Sequence, residues 1–576
     1  MKTRFRWLAA VAALSMLAAS CADGEDTQEA TTDTSEAEEP EGEGEDTSTT
    51  AAEEDFEAMA FETDQCGVEP YTGQLQSIEA VDAQTVKFTL CQPDVAFPSK
   101  VAFSAFGILP SEYIEETGGG LQLSEEPVGT GPYQLGEWDR GNELVLEKFD
   151  DYWGEPAKSD TLIFRWSAEA AQRLVELQSG TVDGIDNVGT EDFETVANDS
   201  NLQLLERDPL NVFYVGFNVD QAPFDDELVR QAVAAAIDKE RIVDNFYPAG
   251  SQAAEQFLPD AIPGAVEGFD ANPYDPEKAR SLLAEAGMPD GFDVTLSLRD
   301  VVRGYLPNPV PVATDIQAQL AEVGIRVTID VQESGTFIDN ANSGNLPFFL
   351  LGWGADYPDA TNFLDYHFGG GASPQFGTGF EDIQGVLSEA ASLTEQDARN
   401  ELYAEAADLI AEHSPMVPIA HGGSAVAFKA DAEGAHASPL SNENLSTVGI
   451  EGQDTLVWLQ NAEPIGLYCA DETDGESLRA CEQMVESLLA YEVGGVEVQP
   501  SLAEDYESNE ALTEWTFTLR EGVTFHDGSP LDANDVVMSY QVQWDAADPN
   551  HTGRVGDFTY FSALFGGFLN PPPAEE

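Results

Sequence analysis

Residues 275–298 read DPEKARSLLAEAGMPDGFDVTLSL and contain the signals of a helix, a turn and a strand in succession. Asp275 is a typical helix N-cap, and Pro276 stands at the first helical position, where a missing N–H is tolerated. Leucine and alanine then recur on one face until Gly287, a common stop residue, and a Pro-Asp-Gly sequence turns the chain. The alternating residues 292–298 predict a strand.

The same succession recurs elsewhere in the chain. Residues 316–323 predict a helix and residues 325–329 predict the strand that follows it. Residues 85–90 and 515–519 alternate in the manner of strands, and residues 228–243 place their apolar side chains on one helical face. Alternating helices and strands predict an α/β architecture.

The composition limits the classes of function. The chain has 576 residues, with 107 acidic and 24 basic side chains, and a net charge of −83. Nucleic-acid binding needs clustered Lys and Arg, so this charge argues against it. The length predicts about four domain-sized units or two large lobes. Only the N-terminus carries a long apolar run, which argues against a multi-span membrane protein.

The N-terminal segment has the pattern of an export signal. Basic residues precede the apolar stretch 7–19, and residues 17–21 (LAASC) resemble a bacterial lipobox in which Cys21 would carry the lipid. The alternative is an ordinary cleaved signal with an incidental cysteine. Residues 22–65 contain eighteen acids and no Lys or Arg, so we expect a solvated tether, with an acidic interaction tail as the alternative.

The acidity persists beyond the tether, where 89 acidic residues remain. Repulsion among so many like charges lowers stability at low salt, and high salt screens it. We therefore consider a salt-adapted host. The alternative is a generically acidic exported protein.

Four further cysteines suggest two disulfides in an exported chain. Three pairings are open, and the local pairs are the expectation, because Cys469–Cys481 closes a short polar loop and Cys66–Cys91 a longer one. The cysteines have no CxxC spacing and no histidine cluster, so a zinc site is not expected. We likewise expect no cofactor.

The candidate ligand site is the stretch 351–359, which reads LGWGADYPD. The apolar residues 348–351 predict a strand, so Trp353 and Asp356 would lie at its end, where α/β proteins commonly bind ligands. Trp353 could stack on an apolar group and Asp356 could pair with an ammonium group. The alternative is a turn with a core Trp and a capping Asp. The chain shows no nucleophile elbow, phosphate loop or zinc-protease helix.

Four blocks of sequence resemble the extracellular solute-binding proteins of bacterial ABC importers, in the peptide/nickel family, family 5. The blocks are residues 502–540, residues 129–133 with 151–154, residues 217–238 and residues 352–357. The resemblance covers nearly everything after residue 65.

The order of these blocks differs from the family order. In the family, the block resembling residues 515–540 stands near the N-terminus, and the strands resembling residues 78–90 follow it. Moving residues 455–570 in front of residue 66 restores that order, so the chain resembles a circular permutant whose usual ends are joined near residues 446–454. A wrongly assembled sequence is the alternative explanation.

The resemblance implies a two-lobe, periplasmic-binding-protein-like α/β fold of type II with an extra subdomain. The expected domains follow the restored order: signal 1–21, tether 22–65, lobe I 66–243 and 426–570 with its extra subdomain from 66–129 and 493–570, lobe II 244–425, and a polar tail 571–576. Ligand would be held by closure of the lobes.

The implied function is capture of an extracellular solute, an oligopeptide by preference, and its delivery to a membrane permease by a monomeric, lipid-anchored protein that is not an enzyme. Asp356 resembles the residue that pairs with a peptide's ammonium terminus. Trp353 resembles a pocket aromatic, and Tyr357 belongs to the same block. Arg299 and Arg303, which follow a predicted strand, are candidate partners for a carboxylate, although surface arginines are the alternative. A binder of a nickel chelate or oligosaccharide and a secreted hydrolase are the rival functions.

Overall fold

The computed structural model describes residues 56–68, 70–370 and 372–571. The expected signal, Cys21 and most of the tether lie outside them. In chain order the strands are β1 (Ala60–Glu62), β2 (Leu75–Asp82), β3 (Thr85–Leu90), β4 (Tyr133–Asp139), β5 (Glu143–Lys148), β6 (Thr161–Trp166), β7 (Gly184–Ile185), β8 (Leu202–Arg207), β9 (Asn211–Phe217), β10 (Gln252–Ala253), β11 (Asp293–Arg299), β12 (Arg326–Gln332), β13 (Phe348–Gly354), β14 (Met416–His421), β15 (Ser424–Lys429), β16 (Ala432–Glu433), β17 (Gly449–Ile450), β18 (Thr455–Gln460), β19 (Leu489–Tyr491), β20 (Val498–Pro500), β21 (Ala503–Ser508) and β22 (Glu514–Leu519).

The α-helices are α1 (Phe97–Val101), α2 (Ser111–Thr117), α3 (Leu121–Glu125), α4 (Ala170–Ser179), α5 (Phe193–Ala197), α6 (Glu227–Ala236), α7 (Lys239–Phe246), α8 (Pro276–Glu285), α9 (Pro309–Glu322), α10 (Ser334–Asn342), α11 (Ala360–Phe368), α12 (Glu381–Ala391), α13 (Gln396–His413), α14 (Gly475–Cys481), α15 (Ala533–Trp544) and α16 (Thr559–Phe565). Within the described residues, no helix is both long and apolar enough to cross a lipid bilayer.

Three large sheets organise the strands. A five-stranded sheet has the order β1-β2-β3-β22-β21, a seven-stranded sheet has the order β4-β5-β6-β18-β7-β15-β8, and a six-stranded sheet has the order β10-β14-β9-β13-β11-β12. Strands β11, β12 and β13 run parallel, as the helix–strand alternation predicts, and β9 joins them in the antiparallel sense.

The segment that decides the fold class forms as expected. The Asp275 carboxylate accepts hydrogen bonds from the backbone N–H groups of Glu277 and Lys278, which begins α8, and β11 follows the predicted turn. The predicted helix over 228–243 is instead two helices, α6 and α7. The chain breaks there because Asp238 caps α7 with its side chain while its own N–H donates to Gln319.

Segments from the two ends of the described chain share the five-stranded sheet. Strand β22 pairs with β3 in the antiparallel sense, with Trp515 opposite Phe88. Strand β1 pairs with β2 at the sheet edge. The expected tether boundary at residue 65 is therefore too late. Phe61 packs on Trp544 with ring centroids 5.1 Å apart, so scattered apolar residues order a segment whose average composition indicates disorder.

The chain crosses between the seven-stranded and six-stranded sheets at two places. Residues 208–210 join β8 to β9, and residues 422–423 join β14 to β15. The expected lobe boundary at residue 243 thus falls about thirty residues beyond the first crossing. The apolar run of β9 is central to the six-stranded sheet, between β13 and β14, because it is buried on both faces.

Two local disulfides and one buried ionic network fix the chain, and the network joins segments that are distant in sequence. The disulfides are Cys66–Cys91 and Cys469–Cys481, which confirms the local pairing. Arg479 of α14 and Arg207 of β8 both contact Asp186 and Glu443, and all four side chains are at most 3% exposed. Burial alone would raise the pKa of Asp186, but Arg479 and Arg207 lower it to about 2.

Candidate functional site

The site is built on the end of β13 and the start of α11. Strand β13 runs three residues further than its apolar core predicts, so Trp353 lies within the strand, opposite Val212 of β9. Asp359 caps α11 by accepting from the N–H of Thr361, and Arg399 holds that carboxylate with two hydrogen bonds of 2.8 and 3.0 Å. The link between strand and helix that carries Asp356 is thereby anchored.

Asp356 is partly buried, and two side chains contact its carboxylate. The Asn362 Nδ2 group donates to Asp356 Oδ2 at 3.0 Å, and the Asp356 backbone N–H donates to Asn362 Oδ1 at 3.0 Å. Tyr560 of α16 supplies a further hydrogen bond to the carboxylate. Burial raises the pKa of Asp356 to about 6, against the effect of these two neighbours. Asp356 is therefore an acceptor poised to gain a cationic partner.

An aromatic wall stands beside this carboxylate. The Trp353 Nε1 group donates to Asn362 Oδ1 at 3.1 Å, so one amide orients both the indole and Asp356. The Trp353 ring stacks on Tyr366 with centroids 4.1 Å apart and meets the edge of His367 at 5.0 Å. Burial lowers the pKa of His367 to about 3, despite its hydrogen bond with the Phe363 carbonyl. Its imidazole is therefore neutral and packs against the Trp353 ring.

Tyr357 points away from this wall. It is 3% exposed, its hydroxyl lies 3.1 Å from Thr361 Oγ1, and Lys100 Nζ lies 6.0 Å from the centre of its ring. Lys100 is itself paired with Asp94 at 2.7 Å. The structure thus brings Tyr357 together with residues of the five-stranded-sheet side, rather than with Trp353.

The two candidate arginines lie at the same sheet edge as Trp353. Arg299 ends β11, beside β13, and its described hydrogen bonds go to the hydroxyls of Ser334 and Tyr305. The Tyr305 ring covers Gly352 so closely that a Cβ there would lie 2.3 Å from it. Arg303 is exposed and donates to the carbonyl of Val302. The side chain of Arg299 is therefore oriented by two neutral hydroxyl groups, whereas that of Arg303 is exposed and lies beyond the end of β11.

Two residues of the site carried no sequence signal. Asn362 lies six positions after Asp356, inside α11, where an amide side chain usually faces solvent. Tyr560 lies 204 positions away from Asp356 in sequence and outside every matched block. Only the packing of α16 near the 355–359 link brings it to the carboxylate.

These features define the two-lobe, periplasmic-binding-protein-like α/β fold of a solute-binding protein. The chain belongs to the bacterial extracellular solute-binding proteins, family 5, whose family model ("Bacterial extracellular solute-binding proteins, family 5 Middle") matches residues 43–375 and 497–559.

Relatives with known names agree with this family. The chain is 31% identical over 385 residues to "Heme-binding protein A" of Haemophilus influenzae, covering 66% of this chain and 70% of the relative. It is 30% identical over 385 residues to the "Dipeptide-binding protein" of Escherichia coli, covering 66% and 72%. A solved dipeptide-binding protein from a Pseudoalteromonas species, in complex with Met-Leu, is 29% identical with a TM-score of 0.57 and covers 65% of this chain and 75% of that one.

Proposed function

We propose that this protein captures short peptides outside the cytoplasm by closing its lobes over them, and passes them to an ABC permease in the membrane. The observation that carries the proposal is the Asp356 carboxylate, partly buried beside the Trp353 wall and held by Asn362. The named relatives that bind dipeptides support the choice of ligand class.

The geometry suits a peptide's ammonium terminus. An ammonium group carries three donors and no acceptor, and Asp356 offers the oxygens of a partly buried carboxylate. Charge-assisted hydrogen bonds of this kind are roughly twice as strong as neutral ones. The Trp353–Tyr366 stack provides an apolar face against which the first residues of the peptide can lie.

For the carboxylate end, Arg299 and Arg303 are the proposed partners. Both follow β11, and the Tyr305 that covers Gly352 accepts a hydrogen bond from Arg299. A guanidinium group binds a carboxylate in a planar, bidentate manner. Arg299 already points at neutral hydroxyls, so a ligand carboxylate would add a charged partner without breaking an ion pair among its described contacts.

We propose that the two crossings between the sheets are the hinges about which the lobes close. Residues 208–210 and 422–423 are short, and Asn211 ties them together: its Nδ2 donates to the Gly422 carbonyl at 2.7 Å and its Oδ1 accepts from the Gly422 N–H at 2.8 Å. Hinges of this class consist of a few residues at element ends that absorb the change in φ and ψ.

Isothermal calorimetry with trialanine tests the ammonium role. Asp356→Asn keeps the shape and removes the charge, so affinity is expected to fall about 30-fold or more, which corresponds to the lower end of the cost of truncating a buried charged pair. Asp330→Asn is the matched control, because Asp330 is exposed on β12 of the same sheet. Equal affinities of wild type and Asp356→Asn would refute this role. A ligand panel that includes nickel chelates, haem and oligosaccharides decides between peptide and another solute.

The lipid anchor at Cys21 and the circular permutation are also proposals. The permutation is supported by the pairing of β22 with β3 and by hydrogen bonds between residues near 72 and 566, where Thr72 Oγ1 donates to the Gly566 carbonyl at 2.6 Å. It is also supported by the two separate matches to the family model. The same faces of the helices and strands are buried wherever the chain is cut. Closing a loop of n residues adds a free-energy cost that grows only as about (3/2)RT ln n.

A further inference from the structure

Tyr357 belongs to one lobe but is buried in the core of the other. The two crossings divide the described chain into a six-stranded lobe, residues 211–421, and a second lobe, residues 56–207 and 424–571. The main core of the second lobe is built from its own apolar side chains, and among the described residues of the six-stranded lobe only Tyr357 belongs to it. The two apolar cores of the six-stranded lobe do not contain Tyr357.

The contact across the lobe boundary is made at helix α1. Lys100 of α1 places its Nζ atom 6.0 Å from the centre of the Tyr357 ring. Lys100 is itself buried, and its ammonium group is held 2.7 Å from Asp94 Oδ2 and 3.3 Å from Gln74 Oε1. An ammonium group over an aromatic face is attractive, and more so where water is excluded. The contact therefore combines burial of an aromatic ring with a cation–π interaction between the lobes.

The hydroxyl group of Tyr357 stays within its own lobe. It lies 3.1 Å from Thr361 Oγ1, and Thr361 donates its one hydroxyl proton to Asp359 Oδ1 at 2.8 Å. Tyr357 is therefore the donor and Thr361 the acceptor. The ring of Tyr357, and not its hydroxyl group, makes the contact with the second lobe.

The backbone that carries Tyr357 is tied both to the first crossing and to the ligand site. The Ala355 N–H donates to the carbonyl of Leu210, in that crossing, at 2.8 Å, and the Asp359 N–H donates to the carbonyl of Tyr357 at 3.0 Å. Asp356, the proposed ammonium partner, directly precedes Tyr357. A ligand that fixes Asp356 therefore also fixes the short link that presents the Tyr357 ring to the second lobe.

We infer that Tyr357 is a positioning residue that fastens the two lobes in the closed state, through its ring against Lys100 and α1. We refer to this contact as the Tyr357 latch. The inference rests on the proposed capture of a ligand by closure, and it gives Tyr357 a role that needs no contact with the ligand. When the binding-competent state is less populated, the apparent affinity falls in proportion, so loss of the latch weakens binding.

Calorimetry with trialanine on the full chain tests the latch. Tyr357→Ala should bind about tenfold more weakly than wild type, because the closed state loses a buried aromatic ring and a cation–π contact. Tyr357→Phe should bind as wild type does, since it keeps the ring. Phe380→Ala is the matched control: the Phe380 ring packs within the six-stranded lobe, 4.7 Å from that of His413, so its loss should leave the affinity unchanged.

Hydrogen–deuterium exchange followed by mass spectrometry gives a second readout at α1. Residues 97–101 include none of the proposed peptide contacts, so a change there reports on the lobe boundary. Their amides should exchange faster in Tyr357→Ala than in wild type, both in the free protein and at saturating trialanine, because α1 loses its cover. Tyr357→Phe and Phe380→Ala should exchange as wild type does in this segment.

The outcomes separate the latch from peptide capture. Equal trialanine affinity, or equal exchange of residues 97–101, in wild type and Tyr357→Ala would overturn the latch and leave peptide capture intact. So would a loss of affinity in Tyr357→Phe as large as that in Tyr357→Ala, because the hydroxyl group would then be what matters. Failure of wild type to bind trialanine would overturn peptide capture. Exchange in the free proteins then decides the latch: faster exchange in Tyr357→Ala supports it, and equal exchange overturns it.

Discussion

Arg479→Gln is expected to destabilise the folded protein severely, because Arg479 belongs to a network of four buried charges. Its guanidinium group lies 3.2 Å from Asp186 Oδ2 and 3.1 Å from Glu443 Oε2, and Arg207 contacts both acids at 2.7 Å. The network is neutral as it stands. Without Arg479, two carboxylates share one guanidinium group in a site that water does not reach.

The expected cost follows from that geometry. Removing one partner from a buried ionic cluster typically costs about 3–5 kcal/mol, because a charge is left without compensation. Arg165 provides the contrast: it bonds Glu143 at 2.9 Å, but the two side chains are 37% and 27% exposed. Arg165→Gln is therefore expected to change the free energy of unfolding by about 1 kcal/mol or less.

Urea unfolding followed by tryptophan fluorescence and by circular dichroism measures both variants. The double variant Arg479→Gln/Glu443→Gln should recover part of the loss, since it removes the uncompensated acid while a glutamine oxygen can still accept from the Ser438 N–H. A midpoint for Arg479→Gln no lower than that of Arg165→Gln would refute the reasoning. So would a double variant no more stable than the single one.

Three further expectations concern pH, anchoring and salt. Trialanine affinity should fall about tenfold from about pH 7 to about pH 5, where the peptide's amino group stays protonated, because Asp356, with a pKa of about 6, must be ionised to hold an ammonium group; Asp356→Asn should show no such fall. Cys21→Ala should move the protein from the membrane fraction to the soluble fraction, and unchanged fractionation would exclude the lipid anchor. The thermal midpoint should rise between about 0.1 M and about 1 M NaCl, as the Debye length shortens from about 10 to about 3 Å around a chain of net charge −83, whereas a flat or falling midpoint would contradict the salt-adaptation hypothesis.

Local signals were sufficient for most elements of the fold. The cap at Asp275 and the alternation of residues 293–298 predict α8 and β11, since both depend on neighbours in sequence. The break between α6 and α7 was not predictable in this way. It depends on Gln319 of α9, which reaches Asp238 only in the folded chain. Strand β1 was not predicted because its segment is acidic on average. Its apolar side chains Phe56, Met59 and Phe61 order it only by packing on the folded core, as Phe61 does on Trp544.

The candidate site likewise contains residues that the sequence indicates and residues that only the folded structure brings in. The block at 352–357 indicates Asp356 and Trp353 through its resemblance to the family, because residue type and position at a strand end alone favour a turn with a core Trp and a capping Asp. Asn362 and Tyr560 were not indicated. Asn362 lies only six positions after Asp356, but it reaches the carboxylate through the turn into α11, and Tyr560 comes from a segment 204 positions away, so neither contact can be predicted from residue type alone.

The central claim is that a peptide's free ammonium group is held by Asp356. Calorimetric titration of the wild-type protein with trialanine and with N-acetyl-trialanine tests it most directly, because acetylation removes the charge and two donors and leaves the rest of the peptide unchanged. The account predicts measurable binding of trialanine and an affinity for the acetylated peptide about 30-fold or more lower. Equal binding of the two peptides would contradict it.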